Sequence, residues 1–593
     1  MFKNYLKTAL RILKKNKGFS LLNLVGLSLG MACAVLILLW VHDEMSYDNF
    51  HKNRSTLYQV LENQTYEGKT YTFSSLPGPF APAIKEEIPE IKYAARTDWG
   101  SNTLFTLGDK SIYENGRFAD PDFLRMFSFE LIKGNPEILN DPTSLIITQE
   151  MSEKFFGKDD PIGKTLKVNN DKLFTIKGLV KTPPKNSTIQ FNWLSSFQSY
   201  EDRNEWLKQW GNNGIMSYVQ LKDGASPAQV NKKFYNFIQQ KESDAIARPF
   251  LLSINDWRLR SKFEEGKPAG GRIEYVRLFS IIALLIIVIA CINFMNLATA
   301  RSEQRAREVG VRKVMGAGRS MLVRQFMSES IVMSLVAMVL AALIVVAVLR
   351  PFNTLVGKEM EFSFTNPVIS LGLPALALIC GLLAGSYPSF YLSSFNPITI
   401  FRGMKIGKNS SVAIIRKSLV VVQFIISIVL IISTIVVYQQ IQHVKSRQLG
   451  YDKESIVLLP LRGNMNEHFT TIKNELIATG AVRNAAVSNS RVLDLNSSSE
   501  DFKWQGKSPT MRVLITTEWV SPEYISTMGM KIKSGRDFHS IAEQDSTNII
   551  INETFAKIIG KEDPVGDILT RDDRQLRIVG VVKDFLYNDM YKN

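Results

Sequence analysis

Five runs of about 20 residues carry no charge: Gly18 to Val41, Leu278 to Ala300, Ser330 to Leu349, Pro367 to Tyr387 and Ser418 to Tyr438. About 20 consecutive apolar residues are what an α-helix needs to cross the hydrocarbon core of a bilayer. Long polar regions separate these runs, so a uniformly soluble globule is excluded. The net charge of +15 belongs to the flanks of the runs. Residues 42–275 carry 30 basic and 31 acidic groups and residues 438–593 carry 20 of each, whereas residues 1–20, 301–324 and 402–417 contribute +6, +5 and +5. A basic surplus beside spanning segments marks the inner side of a membrane and gives no reason to expect nucleic acid. The N-terminus and the segments after the second and fourth runs are therefore expected inside, and the two neutral regions outside.

The first run could instead be a cleaved signal peptide, but it is about twice the usual length of such a core and no small-x-small cleavage site follows it. An uncleaved anchor fits better. Before it, Lys3, Lys7, Arg11 and Lys14 alternate with Phe2, Tyr5, Leu6, Leu10 and Leu13 at helical spacing. That pattern predicts a helix over residues 1–17 lying on an anionic inner leaflet. Gly26 and Gly30 have the spacing that lets two membrane helices approach closely. Cys33, Cys291 and Cys380 all lie inside apolar runs, so neither a disulfide framework nor a cysteine metal site is expected.

The two outer regions repeat each other. Asp120-Pro-Asp-Phe-Leu124 with Gly134 recurs as Ser521-Pro-Glu-Tyr-Ile525 with Gly535. Ser144 to Ile147, Phe155 to Lys158 and Asp160 to Gly163 recur as Asn548 to Ile551, Ile558 to Lys561 and Asp563 to Gly566, and Ile176 to Val180 recurs as Ile578 to Val582. The offset stays between 401 and 403 throughout. Short branched runs at Leu145 to Thr148, Phe174 to Val180, Asn548 to Ile551 and Leu576 to Val582 read as strands, with helices over Gln149 to Phe156 and Glu553 to Ile559. The fold class is thus a membrane protein with an α-helical bundle of five spanning helices and two α+β extracytoplasmic domains in tandem repeat. The domains are residues 42–275 and 439–593, with an inner loop at 301–324 and an inner linker at 388–417. By the same offset, a whole second copy is expected to run to about position 789, so the second outer domain is expected to be incomplete and the chain a fragment.

Chemistry is sparse. Gly157 to Thr165 resembles a phosphate-binding loop but has five residues between its glycines, and its counterpart in the repeat has Asp567 and Ile568 where Lys164 and Thr165 stand. Its glycines read as turn residues, and no nucleotide site is expected. His42, His51, His443, His468 and His539 share no ligand spacing and read as surface residues. No catalytic residue, metal site or cofactor is expected. The inner segment after the second run is richer than a charged flank requires. Glu303 and Glu308, valines at 309, 311 and 314, and a double-glycine break at Gly316 and Gly318 suit a short helix that docks into a groove.

Glu308-Val-Gly-Val-Arg-Lys-Val-Met-Gly-Ala317, Leu383-Ala-Gly-Ser-Tyr-Pro388, Tyr391-Leu-Ser393, Gln423-Phe424, Leu449-Gly-Tyr-Asp452 and the repeat together resemble the FtsX-like and MacB-like permeases of ABC transport systems. The resemblance implies a permease subunit in a bacterial inner membrane with MacB-like periplasmic core domains. It implies that Glu308, Val309, Gly310, Arg312, Lys313, Gly316 and Ala317 couple to a separate cytoplasmic ATPase subunit. It further implies ATP-driven reshaping of the periplasmic domains for efflux or export of a peptide, antibiotic, lipoprotein or similar substrate. It also points to a periplasmic adaptor or a second permease copy as a further partner. The rival readings are a membrane sensor or receptor and an FtsX-type regulator of cell-wall hydrolysis. A sensor would carry a sizeable inner output domain, and every inner loop here is short.

Single cysteines at positions 43 and 445 are expected to react with an impermeant thiol reagent in intact spheroplasts, and those at 312 and 408 only after lysis. Labelling of 312 but not 43 in intact cells would reverse the orientation.

Overall fold

The computed structural model describes residues 17–300, 302–394, 411–495, 497–539 and 542–587. All but the last residue of the expected surface helix over residues 1–17, and most of the 388–417 linker, lie outside them. Among the described residues, five helices are long and apolar enough to span a membrane: Lys17–Ser46, Arg272–Ala300, Arg319–Val356, Pro367–Ser393 and Ser411–Ser446. All but the fourth begin before the uncharged run, and all five end at or beyond its limit, because backbone hydrogen bonding does not stop where the hydrocarbon stops. The first helix thus continues through His42 to Ser46, where Asn186 Nδ2 donates to the Ser46 carbonyl at 3.1 Å.

The first four helices share a core of Leu27, Met31, Ala283, Ile287, Ala337, Ala341, Ala377 and Cys380. Lipid tails are as apolar as leucine, so helices gain little from hiding leucine from lipid and associate where small residues let backbones meet. A Cβ on Gly30 would lie 2.7 Å from Ala290 Cβ, one on Gly381 2.7 Å from Ile331 Cα, and one on Gly385 2.7 Å from Ser330 Cβ. The Gly26 and Gly30 pair is thus the contact surface of the first two helices. Ser334 Oγ donates to the Ala377 carbonyl at 2.7 Å across the third and fourth helices. The fifth helix packs along the second and leaves Phe424, Ile428 and Ile432 exposed, a surface suited to lipid. Cys291 and Cys380 are buried as free thiols, and Cys33 is exposed on the bundle surface.

Between the first two apolar helices lies an extramembrane domain built on one large sheet. Strands Trp193–Ser196, Ser144–Thr148, Lys172–Val180, Thr165–Val168, Ser101–Leu107 and Lys110–Ala119 pair in that order, and the last pairs back with the first, closing a ring. Phe105, Ile147, Leu166, Phe174, Ile176 and Trp193 belong to its core. From Lys110–Ala119 the sheet continues through Ile91–Thr97, Asn213–Leu221, Leu57–Tyr66 and Arg248–Ser253. Helices Phe80–Glu87, Pro227–Phe234 and Phe237–Lys241 pack on this open part, where Val60, Val219 and Leu251 of the strands meet Phe80, Val230 and Phe237 of the helices.

The elements expected from the repeat are present in both polar regions, 42–275 and 439–593. Ser144–Thr148 pairs in parallel with Lys172–Val180, and Asn548–Asn552 pairs in parallel with Arg574–Val582. Thr148 Oγ1 and Asn552 Oδ1 cap the helices that follow, Gln149–Phe156 and Glu553–Ile559, by accepting from Met151 N and Phe555 N at 3.2 and 3.1 Å. Gly163 N donates to Ile176 O and Gly566 N to Ile578 O, both at 2.8 Å. The loop that resembles a phosphate site therefore spends this amide on its own sheet.

One reading needs correction. His42, His443, His468 and His539 are exposed, but His51 is buried beneath Phe50, Phe127 and Phe129, with Nδ1 accepting from Ser128 N at 3.1 Å. Burial lowers its pKa to about 4 and keeps it neutral. The sequence places it in a polar stretch; only the tertiary fold puts aromatic rings over it.

Glu62, in the strand Leu57–Tyr66, is wholly buried beside Gln64, and loss of hydration pushes its carboxyl up to about 8. The unfolded chain releases this proton near the ordinary value of 4.5, so stability falls as pH rises from about 4.5 to 8 and then levels. Glu62→Gln, which mimics the protonated form, is expected to leave Tm unchanged at pH 5 and raise it by several degrees at pH 8.5 in the detergent-solubilised chain. Parallel Tm–pH curves for the two proteins would refute this.

Candidate functional site

The sequence-selected residues form one compact unit at the bundle end remote from the large domain. Residues Ser302–Val314 form a helix. Gly316 has φ of 91°, a left-handed conformation open to glycine at little cost. Gly316 N donates to Lys313 O and Ala317 N to Arg312 O, both at 3.0 Å, the paired bonds of a tight left-handed helix end. Among the described residues no other group lies within 4 Å of a Cβ built on Gly316, so the demand for glycine there comes from its backbone conformation. Gly318 then opens the long helix Arg319–Val356, and its carbonyl accepts from Met321 N at 3.2 Å. The direction of the short helix relative to the long one is thus set by three residues of defined geometry.

Val309 is 1% exposed and packs with Leu322, Phe326 and Leu392, so the short helix is seated on the start of the third apolar helix and the end of the fourth. Gly310 is buried beside it. Arg312 Nη2 pairs with Glu308 Oε1 at 2.7 Å and Nη1 donates to Gln325 Oε1, while Gln325 Nε2 donates to Glu329 Oε1 at 3.1 Å. A polar chain therefore runs from the half-exposed Glu308 into the bundle. Lys313 and Ala317 are half-buried.

The three valines do not make one stripe. Residues two apart on a helix point to nearly opposite sides, whereas those three or four apart share a face. Val309 accordingly faces inward, while Val311, Val314 and Met315 are 46%, 69% and 74% exposed. Met321 is exposed as well. An apolar outer face bordered by Glu308, Arg312 and Lys313 is the surface available to a partner, and Met315 and Met321 are the members that sequence reasoning did not single out. The helical phase of 311, 314 and 315 was the signal that could have found the first of them.

The motif in the fourth helix serves the same unit. Gly385 allows Ser330 and Met327 of the third helix to lie against its backbone, Ser389 and Ser393 are fully buried, and Leu392 completes the seat of Val309. No cluster of His, Cys, Asp and Glu able to hold a metal occurs among the described residues.

Comparison with known proteins accounts for most of the chain. The description MacB-like periplasmic core domain matches residues 20–236 and again 419–591, and FtsX-like permease C-terminal matches residues 280–397. The macrolide export ATP-binding/permease protein MacB of Bdellovibrio bacteriovorus is 24% identical over 345 residues, covering 54% of this chain and 48% of that protein. The pyoverdine export ATP-binding/permease protein PvdT of Pseudomonas syringae pv. syringae is 22% identical over 412 residues, covering 66% and 58%. The crystal structure of the periplasmic region of MacB from Actinobacillus actinomycetemcomitans aligns with 34% of this chain and 90% of its own at 14% identity and a TM-score of 0.27. The chain spans about half the length of the curated relatives it matches. With core-domain matches on both sides of a permease match, the chain belongs to the family of MacB-like and FtsX-like membrane permeases.

Proposed function

We propose that this chain is the membrane-spanning subunit of an ABC transporter, coupling a separate cytoplasmic ATPase to movements of its extracytoplasmic domains for efflux or export. The observation that carries this is the short helix Ser302–Val314, which is rigidly capped, seated on two membrane helices through Val309, and left with an apolar outer face. Glu308, Val309, Gly310, Arg312, Lys313, Gly316 and Ala317 then divide by role. Val309, Gly310 and Gly316 hold the helix in place, Arg312 links it to Gln325, and Glu308 and Lys313 border the docking face. ATP chemistry is assigned to the partner, because the one loop that resembles a phosphate site is committed to its sheet. The relatives' names combine ATP binding, permease and export of macrolides or pyoverdine. An antibiotic, peptide, lipoprotein or similar molecule is the corresponding substrate class here.

The chain sits in the inner membrane with its N-terminus and short helix in the cytoplasm and residues 42–275 and 439–593 in the periplasm, as the charge flanks support. These two regions act as α+β domains in tandem, the second sharing the strand–helix–turn–strand unit of the first. A periplasmic adaptor or a second permease copy would complete the assembly.

Val314→Asp with Met315→Asp places two carboxylates on the proposed docking face without touching Val309. Exposed substitutions of this kind usually change stability by less than about 0.5 kcal/mol, so the variant is expected to fold. The amount of ATPase copurifying with it is expected to drop at least ~10-fold, the effect of losing about 1.4 kcal/mol of binding. Copurification at the parent level would remove this face from the interface.

A further inference from the structure

The third apolar helix meets the short helix at its start, and the loop that follows it meets the end of the first helix. Over its 38 residues, at about 1.5 Å per residue, it extends roughly 57 Å. Its first turns carry Leu322, Gln325 and Phe326, the contacts of Val309 and Arg312. At the far end Gly357 closes it with φ of 63°, Lys358 N donates to Asn353 O at 3.0 Å, and Asn353 Nδ2 donates to Met360 O at 2.9 Å. Lys358 is therefore fixed to the end of the helix.

The Lys358 side chain is 8% exposed and its Nζ is shared between Asp43 and Glu44, the latter at 3.0 Å to Oε1, above the rings of Trp40 and Tyr47. Glu44 is fully buried and holds two more cations. Arg258 reaches its Oε2 through Nε at 3.0 Å and its Oε1 through Nη2 at 3.3 Å, and Arg272 Nη1 reaches Oε1 at 2.9 Å. The Arg258 guanidinium also stacks on Tyr47 at 3.9 Å. One carboxylate thus ties together the end of the first helix, the start of the second, the loop after the third and, through Arg258, the domain.

We propose that the Lys358–Glu44 contact is the output joint of the third helix, which delivers displacement of the short helix to the extracytoplasmic domain. Charge-assisted hydrogen bonds around a buried carboxylate are short, directional and intolerant of a missing partner. Lys358 has two acceptors, so a small axial shift toward Asp43 withdraws one donor from Glu44 Oε1 and alters the hold on Arg258 and Arg272. Lys358 and Glu44 are positioning residues in this scheme. The proposal rests on the short helix being the input of the transporter, but its test needs no ATPase.

Val309→Trp cannot fit between Leu322, Phe326 and Leu392 and must lift the short helix from its seat. The distance between spin labels at Lys222→Cys in the domain and Glu361→Cys at the bundle end, with the three native cysteines replaced by alanine, reports the response in nanodiscs. Val309→Trp is expected to shift that distance by several ångström. The shift should vanish when Lys358→Met or Glu44→Gln is added and return with Lys358→Arg. A shift that persists with Lys358→Met and Glu44→Gln overturns the joint, and no shift from Val309→Trp alone overturns the third helix as its input. Loss of ATPase copurification in the Val314→Asp and Met315→Asp variant, or its absence, is read separately and bears only on the docking reading.

Discussion

Close approach of backbones at small residues is the condition on which the rest of this protein stands. Helices in lipid gain almost nothing from hiding leucine, so their relative positions are set where glycine, alanine and serine remove side-chain bulk. Gly30 against Ala290 locks the first two helices, and Gly381 and Gly385 against Ile331 and Ser330 lock the third and fourth. Both ends of the bundle inherit that alignment. Val309 finds Leu322 and Leu392 side by side at one end, and Glu44 finds Arg272 and Lys358 side by side at the other. A leucine at Gly30 or Gly381 would displace a helix along its whole length and misalign both.

Electrostatics changes character between the two ends. The polar chain Glu308–Arg312–Gln325–Glu329 begins in solvent and ends inside the bundle, so salt and water screen its outer member. The group around Glu44 is more enclosed: its carboxylate is fully buried, Lys358 lies buried against it over the rings of Trp40 and Tyr47, and only Arg272 at the rim is half-exposed. Interactions of the second kind respond steeply to geometry and weakly to ionic strength.

The spanning helices and the repeated strand–helix units were legible in sequence because each rests on local pattern. An uncharged run of about 20 residues and a branched strand followed by a capping Thr148 or Asn552 need no knowledge of distant residues. What stayed hidden depends on register between remote segments. The pairing of Trp193–Ser196 with both Ser144–Thr148 and Lys110–Ala119, the burial of His51 and the convergence of Arg258, Arg272 and Lys358 on Glu44 join residues far apart in the chain. At the candidate site the composition was legible and the phase was misjudged. Grouping Val309 with Val311 and Val314 ignored the 3.6-residue period, which separates the seat from the outer face.

The closed ring of six strands bears on how the domain resists local opening and ages. A ring has no free edge along its barrel-like wall, so neither a neighbouring chain nor an unfolded polypeptide can add a strand there. Local opening that would admit a protease must break two strand pairings at once, which ties the survival of this lobe to global rather than local unfolding. A load applied to this lobe is therefore expected to reorient the ring as a rigid body rather than shear it. Wear should concentrate in the open part of the sheet and in the exposed turns around it.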